Sequence, residues 1–272
     1  MNPAEVETWA SQAGVPPAEA LNYLQRLEAV EKQEEVILDE IFSGLNGPVL
    51  ELSAGRGEFT RQLLKKYLRS DGKLYTTERL PEVAEKLAGE INDPRLEVLV
   101  GDSSSLPLSD GSVGLVVSRA ALHDFVSDDG DVARALRDCV RVLRPGGTFA
   151  VYDKIRDGFR EVEAESAEGR MEQLNIELAA LEGKVCWGLH YLGDYVRLME
   201  ELGLSDIRTE LLEMPDRPGY VKHMSDSLEE RRPAYVRRWG PKVNDLLDGL
   251  YADFQRTPSR ALPLAFIWGR KN

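Results

Sequence analysis

A glycine-rich turn follows the first strongly apolar run of the central part of the chain, and its backbone could bind a nucleotide-like ligand. Residues 49–57 read VLELSAGRG, so a short apolar strand passes directly into a turn that contains Gly55 and Gly57. Because glycine has no side chain, a ligand can approach the backbone closely at the start of the following helix. A lone motif of this kind is weakly specific. Its meaning depends on the acidic residues that follow.

Two acidic residues lie at the ends of the next two predicted strands. Glu78 ends the segment LYTTE, and Asp102 follows the segment LEVLVG. A carboxylate at the position of Glu78 can accept hydrogen bonds from both ribose hydroxyls, which fits NAD or an adenosyl ligand. Asp102 can accept a hydrogen bond from an adenine exocyclic amine. The NAD fingerprint requires a third glycine where Thr60 stands, so the pattern favours an adenosyl ligand.

Short apolar runs alternate with amphipathic stretches from residue 48 onward. The strands are predicted at 48–52, 73–77, 96–100, 113–118, 148–153, 206–212 and 262–269. Helices are predicted at 58–68, 81–91 and 131–143. This alternation predicts an α/β fold with a doubly wound, Rossmann-like, mostly parallel sheet and helices on both faces. In such folds the ligand binds at the carboxyl ends of the strands.

Helical segments flank this pattern and interrupt it. Two helices are predicted near 2–14 and 17–43, which gives an N-terminal helical cap over 1–46 and a main domain over 47–272. Helical insertions are expected at 156–189, which is rich in glutamate, and at 216–260, with one helix from Arg232 to Phe254. The charged helices are most simply solvent-exposed faces.

The composition excludes several classes of function. The chain has 272 residues with 34 basic and 47 acidic side chains, which gives a formal charge of −13. This balance disfavours sequence-independent nucleic-acid binding and binding to an anionic membrane. The longest apolar runs are too short to span a bilayer, no signal peptide is visible, and two cysteines without a CxxC motif exclude a disulfide scaffold. A cytoplasmic location is therefore expected.

Four motifs in order give the chain a family resemblance. They are the pattern E-x-S-A-G-x-G at 51–57, the acid at 78, the segment 101–110 with its Gly-Asp, Leu-Pro and Asp, and Arg-Pro-Gly-Gly at 144–147. With these motifs, residues 47–153 resemble the class I S-adenosylmethionine-dependent methyltransferases. The resemblance implies a seven-stranded sheet with an antiparallel last strand, S-adenosyl-L-methionine as cofactor, and methyl transfer.

The resemblance also implies a set of cofactor-binding residues. Glu51, with the backbone of the turn, would hold the methionine part, Glu78 the ribose, and Asp102 the adenine amine. The full set is Glu51, Ser53, Ala54, Gly55, Gly57, Glu78, Arg79, Leu80, Asp102, Ser103, Ser118 and Arg119. The last two, together with Ala120, would lie near the sulfonium. The family more often has Asp at position 51 and Gly at positions 53 and 54, which puts the depth of the turn and tight binding in doubt.

Two groups outside these motifs could act on the methyl acceptor. His123 follows the predicted strand 113–118 and could serve as a general base, although it could equally buttress the loop. A cluster of Cys186, Trp187, His190 and Tyr191 could shape a substrate pocket, or pack the next helix onto the sheet. No metal site is expected, because the three histidines are far apart in the sequence and no ligand spacing is present.

These observations lead to one preferred function and its alternatives. The preferred function is methyl transfer from S-adenosylmethionine to a small molecule in an enclosed site. The alternatives are methylation of a protein or RNA, a non-catalytic module that binds an adenosyl ligand, and, last, an NAD-dependent dehydrogenase. The N-terminal helices could cover the cofactor or form a homodimer interface.

Overall fold

The computed structural model of the protein describes residues 2–101, 103–157 and 166–272. The strands are β1 Val49–Leu52, β2 Leu74–Glu78, β3 Leu96–Val100, β4 Val113–Arg119, β5 Val126–Ser127, β6 Leu143–Lys154, β7 Val185–Cys186, β8 Leu204–Leu212 and β9 Leu264–Lys271. The helices are α1 Pro3–Ala13, α2 Pro17–Phe42, α3 Glu58–Gln62, α4 Pro81–Glu90, α5 Val132–Val142, α6 Ala167–Leu181, α7 Leu192–Glu201, α8 Tyr220–Trp239 and α9 Val243–Phe254.

Seven strands form one sheet in the order β3-β2-β1-β4-β6-β9-β8. The strands from β3 to β6 are parallel, and β9 runs antiparallel to both of its neighbours. The doubly wound α/β fold with an antiparallel last strand is therefore confirmed. The parallel register aligns Leu52 with Ser118 and Glu78 with Val100. The turns that follow these strands consequently lie along one edge of the sheet.

Helices cover both faces of the sheet because side chains alternate along each strand. On one face, Leu50 and Val116 belong to a core that includes α5 and α7. On the other face, Val49 and Leu115 belong to a core that includes α2 and α3. The central strands β1 and β4 are almost entirely buried, as expected for a parallel sheet between two helical layers.

The N-terminal helices begin and end where the sequence signals indicate. The Asn2 side chain accepts a hydrogen bond from the Ala4 amide, Pro3 opens α1, and Gly14 ends it with a φ of +68°. The predicted helix 58–68 is α3, continued by a π-helical turn over Leu63–Tyr67. The strand predicted at 148–153 begins earlier, at Leu143.

The single helix predicted from Arg232 to Phe254 is wrong. The segment instead contains the end of α8 and all of α9, and the two helices are separated by a break at Gly240, whose φ is +79°. Pro241 follows directly, so the chain carries a glycine stop and a proline restart at this point. The helices α6, α8 and α9 then share a hydrophobic cluster of their own.

The glutamate-rich insertion predicted at 156–189 is described at 156–157 and from residue 166 onward, where it forms α6 and β7. Residues 158–165 of this prediction lie outside the described residues. The division of the chain at residue 46 stays a prediction. Among the described residues, every helix is either too short or too polar to cross a lipid bilayer.

Candidate active site

A cavity of about 850 Å³ lies at the carboxyl ends of the parallel strands. Six residues predicted from the motifs line it: Ser53, Gly55, Glu78, Arg79, Leu80 and Ser103. The remaining lining residues are Thr77, Gly101, Ser104, Ala120, Ala121, Asp124, Phe125, Val126, Ser127, Asp128, Asp131, Arg134, Ala135 and Lys184. The cavity therefore has one wall from the turns after β1, β2 and β3. A second wall is formed by the segment 120–135 and Lys184.

The two glycines of the turn have different surroundings. Gly55 has a φ of +57° and lines the cavity, and a Cβ atom added there would meet no atom within 4 Å. A Cβ atom on Gly57 would lie 2.4 Å from Leu87 Cδ1 and 2.9 Å from Ile91 Cδ1. Gly55 thus leaves space for a ligand, whereas Gly57 allows the turn to pack against α4. Ser53 adopts a left-handed φ of +55° without being a glycine.

Two carboxylates hold the turn from different sides. The Gly55 amide donates a hydrogen bond to Glu78 Oε1, and Glu78 lines the cavity. Glu51 lies below the turn, is only 2% exposed, and accepts a hydrogen bond of 2.7 Å from the Thr60 hydroxyl. Burial disfavours the charged carboxylate and raises the pKa of Glu51 to about 7, because the Thr60 hydrogen bond offsets only part of the desolvation.

Five of the predicted cofactor-binding residues that the structure describes do not line the cavity: Glu51 and Gly57, described above, and Ala54, Ser118 and Arg119. The side chain of Arg119 lies 3.0 Å from Glu34 on α2 and 5.2 and 5.3 Å from the ring centres of Phe59 and Tyr152. It therefore ties α2 to the sheet. Ser118 is fully buried, and its hydroxyl has no hydrogen-bond partner in the part of the chain that the structure describes. Ala54 follows Ser53 outside the lining.

Asp102, the predicted contact of the adenine amine, lies outside the described residues. Its neighbours Gly101 and Ser103 both line the cavity. The adenine contact therefore stays a prediction.

His123 is buried in a network of charged side chains. Its backbone amide donates to Asp153 Oδ2 at 3.0 Å, and its Nδ1 atom is hydrogen-bonded to Asp153 Oδ1. Burial alone would lower the pKa of the imidazole, but the carboxylates of Asp153, Asp124 and Glu172 outweigh it and raise the pKa to about 9. The imidazole is only 4% exposed and does not line the cavity, whereas the neighbouring Asp124 does.

The group predicted as a substrate pocket braces the loop after β4 instead of lining the cavity. Cys186 is buried with its thiol 3.4 Å from the His123 carbonyl, and the Trp187 amide donates to the Phe125 carbonyl. Trp187 stacks on His190 at 4.3 Å. Tyr191 is 56% exposed at the start of α7. Of this neighbourhood, Lys184 is the residue that reaches the cavity. A pocket role for the group stays a prediction.

Residues 50–151, which run from β1 into β6, match the family model described as "Methyltransferase domain". These residues carry the glycine turn, Glu78 and the loop after β4 in the expected strand order. This segment is similar to methyltransferase domains. The match confirms the family resemblance inferred from the motifs.

Part of this chain is similar in sequence to curated methyltransferases. An uncharacterized methyltransferase of Mycobacterium tuberculosis is 33% identical over 109 residues, which cover 40% of this chain and 40% of that protein. The match thus spans about two fifths of the length of such curated relatives.

Two solved structures illustrate the fold of the methyltransferase domain. The Haemonchus contortus phosphoethanolamine N-methyltransferase 2 in complex with S-adenosyl-L-methionine has a TM-score of 0.54 and 16% identity, covering 88% of this chain and 52% of that one. The cyclase SpnF has a TM-score of 0.59 and 14% identity, covering 88% of this chain and 80% of that one.

Sequence reasoning missed most of the second wall of the methyltransferase cavity. Phe125, Asp128 and Asp131 follow β4 closely, so their place in the chain was a usable signal. Lys184 carried no such signal, because it reaches the cavity through the pairing of β7 with β5.

Proposed function

We propose that this chain transfers the methyl group of S-adenosyl-L-methionine to a small-molecule acceptor bound in the cavity. The observation that carries the proposal is the position of the cavity, which joins the glycine turn and Glu78 on one wall to the loop after β4 on the other. A ligand with a nucleoside half and a reactive half fits such a two-sided space.

The residues of the first wall fit an adenosyl ligand. Gly55 leaves open space above the turn, so a ligand can approach its backbone closely. One carboxylate oxygen of Glu78 accepts from the Gly55 amide, which leaves the other for a ribose hydroxyl.

S-adenosyl-L-methionine supplies an electrophilic methyl group on a sulfonium. The protein then needs mainly to align the acceptor for in-line attack and to exclude water. Ala120, Ala121 and Phe125 give the second wall an apolar part suited to this task. The assignment of His123 as a general base stays a prediction, because its imidazole is buried and its neighbours favour the protonated form.

A small acceptor is favoured over a macromolecule by the second wall. The segment 125–128 is fastened by the pairing of β5 with β7, so this side of the cavity has a wall that is held in place. The net charge of −13 also disfavours RNA as the acceptor. A possible homodimer remains part of the hypothesis, with the N-terminal helices as its candidate surface.

Calorimetry with the purified chain tests the ligand class. We expect saturable binding of S-adenosyl-L-methionine and of S-adenosyl-L-homocysteine, and no binding of NAD at the same concentrations. Binding of NAD alone would refute the proposal. Binding of the adenosyl ligands without turnover against amine, hydroxyl and thiol acceptors, followed by mass spectrometry, would favour a non-catalytic module.

The variant Glu78→Ala tests the placement of the ribose. Loss of charged hydrogen bonds should weaken adenosyl binding by about 1.5–3 kcal/mol, which is roughly 10- to 150-fold in Kd. Glu82→Ala is the matched control, because Glu82 lies exposed in the first turn of α4 and does not line the cavity. Equal Kd values for the two variants would show that the ribose lies elsewhere.

A further inference from the structure

A second group of chemically competent side chains lies beside the cavity, between the loop after β4 and the helix α6. His123, Asp124 and Glu172 each offer one ligand atom, and these atoms lie within 4.8 Å of one another. His123 Nε2 is 3.5 Å from Glu172 Oε2 and 3.6 Å from Asp124 Oδ2. Two ligands of one first-row metal ion, each about 2.0–2.2 Å from it, are separated by about 3.0–3.5 Å. The spacing therefore suits a shared ion.

The histidine presents Nε2 to this gap because its other nitrogen is already bound. Nδ1 is hydrogen-bonded to the carboxylate of Asp153, which is completely buried at the end of β6. Among the described residues, Nε2 forms no hydrogen bond, and both carboxylate oxygens lie beyond the usual N–H···O distance of about 2.7–3.2 Å. A carboxylate behind a histidine is the arrangement that orients and strengthens metal-binding imidazoles.

The two carboxylates are also held from behind. Lys154 Nζ donates to Glu172 Oε1 at 2.5 Å, and Asn175 Nδ2 donates to Asp124 Oδ1 at 2.7 Å. Asn175 Nδ2 makes a longer contact of 3.3 Å with Glu172 Oε2. Each carboxylate thus keeps one oxygen toward Nε2 while a partner fixes its other oxygen. Such support makes the cluster different from a set of acids that happen to be close on a surface.

The cluster is rich in negative charge and lies next to the cavity. Three carboxylates, on Asp124, Asp153 and Glu172, face one lysine and one imidazole, and Glu168 adds a fourth acid 3.3 Å from the Lys154 ammonium. His123 and Glu172 are buried, whereas Asp124 is half exposed and lines the cavity. An ion could consequently enter from the cavity and would keep coordination positions open toward it.

From this geometry we infer that His123, Asp124 and Glu172 form a binding site for one divalent transition-metal ion at the acceptor side of the cavity. One imidazole with two carboxylates suits Mn²⁺, Fe²⁺ or Zn²⁺, whereas Mg²⁺ prefers oxygen ligands and retains its waters. The expectation from the sequence that metal binding is absent rested on histidine spacing. Here a single histidine suffices because α6 supplies Glu172 from a distant part of the chain.

Titration of the chelator-treated full chain with Mn²⁺ tests the site. The electron paramagnetic resonance signal of free Mn²⁺ should fall until one ion is bound per chain, and pulsed spectra of the bound ion should show coupling to one imidazole nitrogen. Zn²⁺ should displace the bound Mn²⁺, since zinc binds nitrogen and oxygen sites more tightly. Mg²⁺ at equal concentration should not displace it.

Conservative variants locate the ion. We expect Asp124→Asn and Glu172→Gln each to weaken Mn²⁺ binding at least tenfold, while Asp128→Asn leaves it unchanged. Asp128 is the matched control, because it is an exposed aspartate on the same cavity wall but outside the cluster. Asp124→Asn keeps the test informative if Glu172→Gln fails to fold, since Asp124 is half exposed.

The inference is overturned if no saturable Mn²⁺ binding occurs at millimolar concentration, if both variants bind like the unaltered chain, or if no nitrogen coupling appears. Metal binding is read here without S-adenosyl-L-methionine or any acceptor. A negative result for methyl transfer would therefore leave this site standing, and a negative result here would leave the proposed methyl transfer standing.

Discussion

The two walls of the cavity are built in different ways. The first wall consists of short contiguous turns after β1, β2 and β3, and it includes Glu78, which accepts a hydrogen bond from the Gly55 amide. The second wall combines the loop after β4 with Lys184, and behind it lies the cluster of His123, Asp153 and Glu172 from three separate elements. The first wall is therefore encoded by short local motifs. The second wall depends on groups that come together only when the chain folds.

The largest effect is expected from breaking the cluster behind the second wall. In Asp153→Asn the buried imidazole of His123 loses its charged partner, and removing one member of a buried pair costs about 3–5 kcal/mol. The free energy of unfolding, measured by urea denaturation, should fall by that amount. Asp129→Asn is the control: it removes an exposed ion pair with Arg134 and should cost about 1 kcal/mol or less.

If Asp153→Asn and Asp129→Asn have equal effects, the second wall does not depend on the buried network. The stability of the chain would then give no reason to distinguish the two walls.

The next effect concerns Glu51, a buried carboxylate on β1 just before the glycine turn. The pKa of Glu51 is raised to about 7 in the folded chain, above its ordinary value of about 4.5. Its contribution to stability is therefore fully present below pH 4.5 and is lost as the pH rises through 7. A shift of this size corresponds to roughly 3 kcal/mol between the two limits.

Glu51→Gln should remove this contribution. The difference in free energy of unfolding between the variant and the unaltered chain, measured at intervals from pH 4 to pH 8, should grow in favour of the variant as the pH rises. A constant difference over this range would mean that folding leaves the pKa of Glu51 at its ordinary value.

The smallest effect concerns backbone strain in the glycine turn. Ser53 has a φ of +55°, a conformation that costs an L-residue about 1–2 kcal/mol. Ser53→Gly relieves this cost but adds about 0.4–1 kcal/mol of entropy to the unfolded chain. We expect a net gain in stability of between zero and about 1.6 kcal/mol, measured by thermal unfolding.

Ala54→Gly is the matched control for Ser53→Gly, because Ala54 is not among the residues with a positive φ. It should lower the melting temperature. A loss of stability in both variants would show that the turn at Ser53 carries no strain.

The features that the sequence predicted belong mostly to the first wall. The glycine turn, Glu78 and the alternation of strands and helices were predictable, because each is encoded within a few consecutive residues. The break at Gly240 was also local, and the glycine followed by proline could have revealed it. The different tasks of Gly55 and Gly57 were not predictable, because they depend on what α4 places beside the turn.

The position of the Arg119 side chain depends on contacts with residues far away in the sequence. Arg119 was expected near the sulfonium, and the structure places its side chain between Phe59 and Tyr152 and against Glu34. The sequence has no signal for such a contact, because Glu34 lies on a helix far upstream.

The sequence by itself determined the sheet, the place of the cofactor motifs along it, and the family of the domain. These features depend on local hydrophobic period and on glycine, which act within one strand, turn or helix. Only the tertiary structure decided that His123, Asp153 and Glu172 meet, and that Lys184 reaches the cavity. The physical reason is that burial and charge pairing arise between elements that the chain separates by tens of residues.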